Sequence, residues 1–107
     1  MANAFKNAGA ALTTSGADIY TAGAGVSAVI HSIYVANIDG TNDATVDVKV
    51  TTDGGTTYYH VAKTMPVPAD SSLVMDKPIN LEPTDKIHMT ASANGDLETY
   101  MAILEIT

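Results

Sequence analysis

Three histidines, two acidic turns, a serine pair and two of the three glutamates are the first residues of this 107-residue chain to weigh for chemistry beyond packing. His31, His60 and His88 fall in three separate segments. A zinc-type site would need those segments side by side, with all three imidazoles turned inward on one ion. No two of them sit at i, i+2, and no HExxH is present, so ordinary strand histidines are expected. Asp39-Gly40-Thr41-Asn42-Asp43 and Asp53-Gly54-Gly55 offer the hard oxygens that calcium takes. Neither shows the alternating aspartates and closing glutamate of an EF-hand loop. Asp and Gly are also what tight turns require, and turns are the expectation here.

Ser71 and Ser72 follow Asp70, but GxSxG is absent, so Asp70-Ser71-Ser72 reads as a side-chain-capped turn. Glu98 and Glu105 lie on one alternating segment, and spacing alone leaves a glycosidase carboxylate pair open. Glycosidase clefts need stacking aromatics, and the chain has no tryptophan. Tyr20, Tyr34, Tyr58, Tyr59 and Tyr100 would suit a carbohydrate groove. They equally suit a core or an interface, where the ring is buried and the hydroxyl stays wet. The expectation is a non-enzymatic protein with no catalytic residue, no cofactor and no metal.

The elements that carry these residues are strands. In Thr45-Val46-Asp47-Val48-Lys49-Val50-Thr51-Thr52 the valines alternate with polar groups, the pattern of a half-buried strand. Val26 to Ile38 and Leu97 to Ile106 are apolar on both faces and rich in β-formers. Such a strand is either central to the domain or covered by a partner. In the first, Val29, Ile33 and Val35 are expected on one face and Ile30, Tyr34 and Ala36 on the other. In the second, Tyr100, Ala102, Leu104 and Ile106 are expected inward, with Met101 and Ile103 outward. Ile87, Met89 and Ala91 share one face of a further strand. Asp53-Gly54-Gly55 and Asn94-Gly95 read as hairpin turns. Met65-Pro66-Val67-Pro68-Ala69-Asp70 reads as an extended crossover, because its prolines withhold backbone donors.

The sum is an all-β chain: a small β-sandwich of about eight antiparallel strands, jelly-roll or immunoglobulin-like. Residues 1–9 read as an N-terminal arm or short edge strand anchored by Phe5, and 10–107 as a single sandwich domain. Twelve acidic against five basic residues give a net charge of −7. That balance disfavours nucleic acid and anionic membranes as partners and aids solubility. With no cysteine, the fold is not held by disulfides. The first residues lack the long apolar core of a secretion signal.

The chain resembles a family of short β-sandwich virion proteins encoded in tailed-bacteriophage structural modules. The resemblance rests on Ala11-Leu12-Thr13-Thr14-Ser15, Ile19-Tyr20-Thr21-Ala22, and Ile30-His31-Ser32-Ile33-Tyr34-Val35-Ala36-Asn37-Ile38. It continues through Val67-Pro68-Ala69-Asp70-Ser71-Ser72-Leu73-Val74, Asp76-Lys77-Pro78-Ile79-Asn80-Leu81 and Ala102-Ile103-Leu104-Glu105-Ile106. These are packing and turn signatures. The resemblance implies a capsid decoration (cement) protein made in the bacterial cytoplasm and carried in the virion, with a neck or tail station as the alternative. Its implied partners are itself, as a homotrimer, and the major capsid protein or other virion proteins. A host-glycan-binding module is the competing class. For contacts between proteins, the residues expected to contribute are Phe5, Tyr34, Met101 and Ile103.

Overall fold

Alternation decides where the chain is pinned. The structure, a computed structural model, describes residues 2–107 and contains nine strands. In order these are β1 (Asn3–Ala11), β2 (Ala17–Thr21), β3 (Ser27–Asn37), β4 (Ala44–Thr51) and β5 (Tyr59–Val67). They continue with β6 (Ser72–Met75), β7 (Ile79–Leu81), β8 (Lys86–Ala91) and β9 (Leu97–Ile106). All pairings are antiparallel. A five-strand sheet runs β1-β9-β3-β6, with β7 also on β3, and a four-strand sheet runs β2-β8-β4-β5.

The pairings are nested: β1 with β9, β2 with β8, β3 with β6 and β7, β4 with β5. This is a long antiparallel ribbon, with the β4–β5 hairpin at its tip, wrapped so that successive pairs fall in opposite sheets. The short strands β6 and β7 occupy one edge position, against Ile33–Ala36 and Ala28–Ile30 respectively. Nine strands therefore fill the eight positions of a jelly roll. An immunoglobulin-like order would pair several sequence neighbours, and here only β4 and β5 do so.

Between the sheets lies a core that includes Leu12, Ile30, Ile33, Val35, Val46, Val48, Ile87, Met89 and Leu97. Each such side chain contributes about 1.5–3 kcal/mol relative to its exposed state. The alternation of β4 and β8 is as expected, with Val46 and Val48 and with Ile87, Met89 and Ala91 buried. In β9 the phase is the reverse of the expectation. Leu97, Thr99, Met101 and Ile103 point into the core, and Tyr100 is 50% exposed. Both sets are apolar, so the pattern alone does not choose between them. The choice is made by register, which sets Met101 and Ile103 beside the buried Ile33 and Ile30 of β3. Met101 and Ile103 are thus core residues and do not stand on the surface for a partner.

In β3 a bulge at His31 shifts the register against β9 between Ile30 and Ser32. The inward set accordingly changes from Ala28 and Ile30 to Ile33 and Val35. Ile30 and Ile33 share a face, against the uninterrupted alternation expected.

Three further expectations are corrected. First, Asn94-Gly95 makes a turn, but it joins β8 in one sheet to β9 in the other and closes no hairpin. Second, residues 65–67 belong to β5, an edge strand, where Pro66 is tolerated because its missing donor leaves no interior ladder bond unmade. Third, residues 3–9 form an edge strand, the second of the two readings offered for them, but β1 continues unbroken past residue 9 to Ala11 along the whole of β9. Met1 lies outside the described residues.

The reversed phase of β9 is testable. Met101→Ala should cost about 2–5 kcal/mol in urea denaturation, as a cavity in a packed core does. Tyr100→Ala should change stability by no more than about 1 kcal/mol. Equal effects would contradict the inward placement of Met101.

Candidate functional site

The acidic residues first expected in turns are in turns, and their carboxylates hold backbone. Asp53 Oδ1 accepts from the amides of Thr56 (3.1 Å) and Thr57 (2.9 Å) and from the Thr51 hydroxyl (3.0 Å). The Thr57 amide leads in drawing the Asp53 pKa down to about 2. Asp39 Oδ1 accepts from Thr41 (2.8 Å) and Asn42 (3.1 Å), which likewise lowers its pKa, the Thr41 amide first. Asp43 holds the Ala69 amide and Asp47 the Thr64 amide, where Thr64 sits at a positive φ of 52°. Buried Asn37 donates to the carbonyls of Asn42 and Val67, both at 2.9 Å, and accepts from the Asp39 amide. Among the described residues no cluster of three His, Asp or Glu side chains is placed to share a metal ion. The Ser71 hydroxyl donates to the Pro68 carbonyl (2.6 Å), a turn cap.

The remaining polar candidates are dispersed. His31 stands on the outer face of the five-strand sheet, at the bulge. His60 and His88 lie on the outer face of the four-strand sheet, either side of Lys49. There His88 Nδ1 bonds Asp18 Oδ1 (2.9 Å), and Lys86 reaches the same carboxylate (3.4 Å). The His88 bond is the largest influence holding the Asp18 pKa below the ordinary carboxylate range. Tyr58 rests against His88 with ring centroids 5.2 Å apart, and Lys49 Nζ sits 5.8 Å over the Tyr58 ring. Glu98 and Glu105 do not form a pair. Seven residues of strand separate them by about 23 Å, and they point to opposite faces. Glu105 lies between the sheets and accepts from the Tyr20 hydroxyl (2.5 Å). Burial, followed by that carboxylate, pushes the Tyr20 pKa upward.

What the structure does bring together is an apolar surface that sequence reading glimpsed but misassigned. On the outer face of the five-strand sheet, Tyr34 and Tyr100 are direct cross-strand partners. Gly9 of β1 lies opposite Tyr100 on its other side, and Val74 of β6 lies opposite Tyr34. Two rows along, Phe5 faces Leu104, which faces Val29. Phe5 is 84% exposed, and Tyr34, Val74 and Tyr100 are 44–50% exposed. Glu98 is the single carboxylate and His31 the single basic strand residue on this face among the described residues, since Lys6 and Glu105 have the opposite phase; Asn7, Ser32 and Asn80 are polar but uncharged. The other sheet's outer face carries Asp18, Asp47, Lys49, Lys86 and both remaining histidines.

The apolar face is not flat. Gly9, Ala11 and Ala36 leave an open hollow of about 420 Å³ between Tyr34, Tyr100 and Glu98. Small residues make its floor, because anything longer at those positions would fill it. Phe5, on the same face of β1, stands proud of the sheet. Of the expected contact residues, Phe5 and Tyr34 lie here. Tyr100, expected inward, joins them. The cross-strand signal that would have found it, Gly9 against Tyr100 against Tyr34, exists only once the register is known.

A pH dependence follows from Asp53. Its folded pKa of about 2 lies below the ordinary value of 3.8, so its contribution to stability is complete above that value and fades as pH falls toward 2. Asp53→Ala should therefore be less stable than wild type near neutral pH. The gap should close below about pH 4 in acid-dependent melts. A gap that persists undiminished to about pH 2 would contradict the carboxylate's role.

No protein-family model and no curated protein matches the chain. Its fold is similar to that of a solved protein of Bacillus endospore appendages, described as a novel family of disulfide-linked pili. The TM-score there is 0.56 at 19% identity, over 99% of this chain and 87% of that one. It is also similar to Eiger TNF from S. frugiperda, with a TM-score of 0.52 at 12% identity, over 96% and 93%. A weaker likeness, TM-score 0.47 at 13% identity over 94% and 59%, is to a pentameric capsid protein from metagenomic phage sequences. At these identities the first two likenesses are likenesses of fold, and the third is too slight to bear on it.

Proposed function

We propose that this chain is a non-enzymatic bacteriophage virion structural protein, an oligomeric capsid decoration protein that binds and stabilises the capsid lattice. The observation that carries the reading is the segregation of its surface. One sheet presents a nearly charge-free apolar face, while charge is concentrated elsewhere on a chain of net charge −7. Soluble monomers rarely leave such a face open, so it is there to be covered in an assembly. Asp39, Asp43, Asp47 and Asp53 hold backbone amides, and Asp18 and Glu105 are bonded to side chains. The sequence resemblance to short virion proteins supports the particle as the place of assembly. A similar fold serves in disulfide-linked pili. This chain has no cysteine, so disulfides between its copies would not hold the assembly.

The mechanism is linkage. A protein that binds only the assembled lattice stabilises it by RT ln(1 + [L]/Kd), about 2.7 kcal/mol at a hundredfold excess over Kd. Oligomerisation multiplies weak individual contacts through effective concentration. A neck or tail station would use the same surfaces on a different wall. The Tyr34–Tyr100 hollow beside Glu98 favours a second class, a host-glycan-binding module, because sugar rings stack on tyrosine.

Purified protein should co-sediment saturably with capsids of the parent phage and raise their melting temperature. Co-sedimentation with tails alone would relocate it. Binding on a glycan array with no affinity for either particle would replace the structural reading with the module.

A further inference from the structure

We infer that the outer face of the five-strand sheet is a self-association surface whose occupant is a second copy of this chain. This deepens the assembly reading above by naming the partner of that face. Three observations converge on it.

The first is charge. Two copies at net charge −7 repel one another, and the repulsion is least where they meet through a face whose strands carry one carboxylate, Glu98. An acidic or basic partner would gain nothing from that face, whereas an identical face is its match.

The second is area. Four strand positions about 4.8 Å apart and ten residues of about 3.3 Å each give a face of about 600 Å². Two copies bury about 1,200 Å², the lower bound of specific, stable interfaces.

The third is relief. The face carries both a knob and a socket, the 84% exposed Phe5 and the 420 Å³ hollow at Gly9, Tyr34 and Tyr100. Phe5 and Gly9 lie four residues apart on the same side of β1, about 13 Å. In a two-fold pair of facing sheets, Phe5 of each copy can fill the hollow of the other. The aromatics at its centre are the residue types that anchor interfaces.

Sedimentation velocity across micromolar concentrations tests this on the full chain. Wild type should be an oligomer, and added salt should tighten it by screening like charges. Phe5→Asp and Tyr100→Glu should each weaken association by about tenfold or more, with folding verified by circular dichroism. His60→Glu, on the other sheet, should leave it unchanged. A wild type that stays monomeric at high concentration overturns the inference. So does an oligomer that survives both face substitutions. Capsid binding is scored separately: a monomer that still decorates capsids defeats the self-association and leaves the decoration, and an oligomer that ignores them defeats the decoration and leaves the self-association.

Discussion

The pairing of β9 with β1 on one side and β3 on the other sets the pleat of the five-strand sheet, and with it the character of both its faces. A slip of one residue would exchange Met101 and Ile103 for Tyr100 and Ala102 in the core. Several features oppose that slip. Thr99, buried at 3% exposure, donates its hydroxyl to the Tyr34 carbonyl at 3.0 Å. Glu105 is tied across the sandwich to Tyr20. The bulge at His31 lets β3 follow β9 over its full length while keeping Ile30, Ile33 and Val35 all inside. The surface that results, aromatic and nearly uncharged, is thus a consequence of core packing.

Strands with one polar face could be read directly from the sequence. Val46 and Val48 against Asp47 and Lys49 leave a single sensible orientation, and so do Ile87, Met89 and Ala91 against His88 and Thr90. β9 could not be oriented, because its two faces are comparably apolar and hydrophobic burial does not discriminate between them. β3 was obscured by a bulge, which breaks a period-two pattern at a residue, His31, that carries no bulge signature. Asn94-Gly95 shows the limit of turn chemistry: the local backbone is a turn, but which strands it joins depends on how the whole ribbon wraps. Pro66 argued against an interior strand, correctly, and β5 proved to be an edge. The jelly-roll order itself rests on pairings such as β1 with β9, roughly the whole chain apart, which no local window contains.

The same separation of local from global explains the candidate site. Acidic turns announced themselves by composition: Asp39 and Asp53 bond amides two to four residues on, while Asp43 reaches Ala69 in the loop after β5. The apolar face announced itself only as an excess of hydrophobic residues, divisible between core and surface in two ways. Its members come from β1, β3, β6 and β9, and each is unremarkable alone. Gly9, Ala11 and Ala36 matter for what they lack, since their small size opens the hollow between the tyrosines. The contrast with the other sheet gives the face its meaning. There, Asp18, Lys86, His88, Tyr58 and Lys49 form a linked polar row suited to water.

Hydroxyl-radical footprinting of the native protein at low and high concentration reads the state of that face most directly. Tyr59, 63% exposed on the edge strand β5 of the other sheet, serves as an internal reference. Labelling of Phe5, Tyr34 and Tyr100 should fall as concentration rises while Tyr59 remains reactive. If all four residues label in proportion to their exposure at every concentration, the greasy side of this sandwich faces water, and the account of why it exists is wrong.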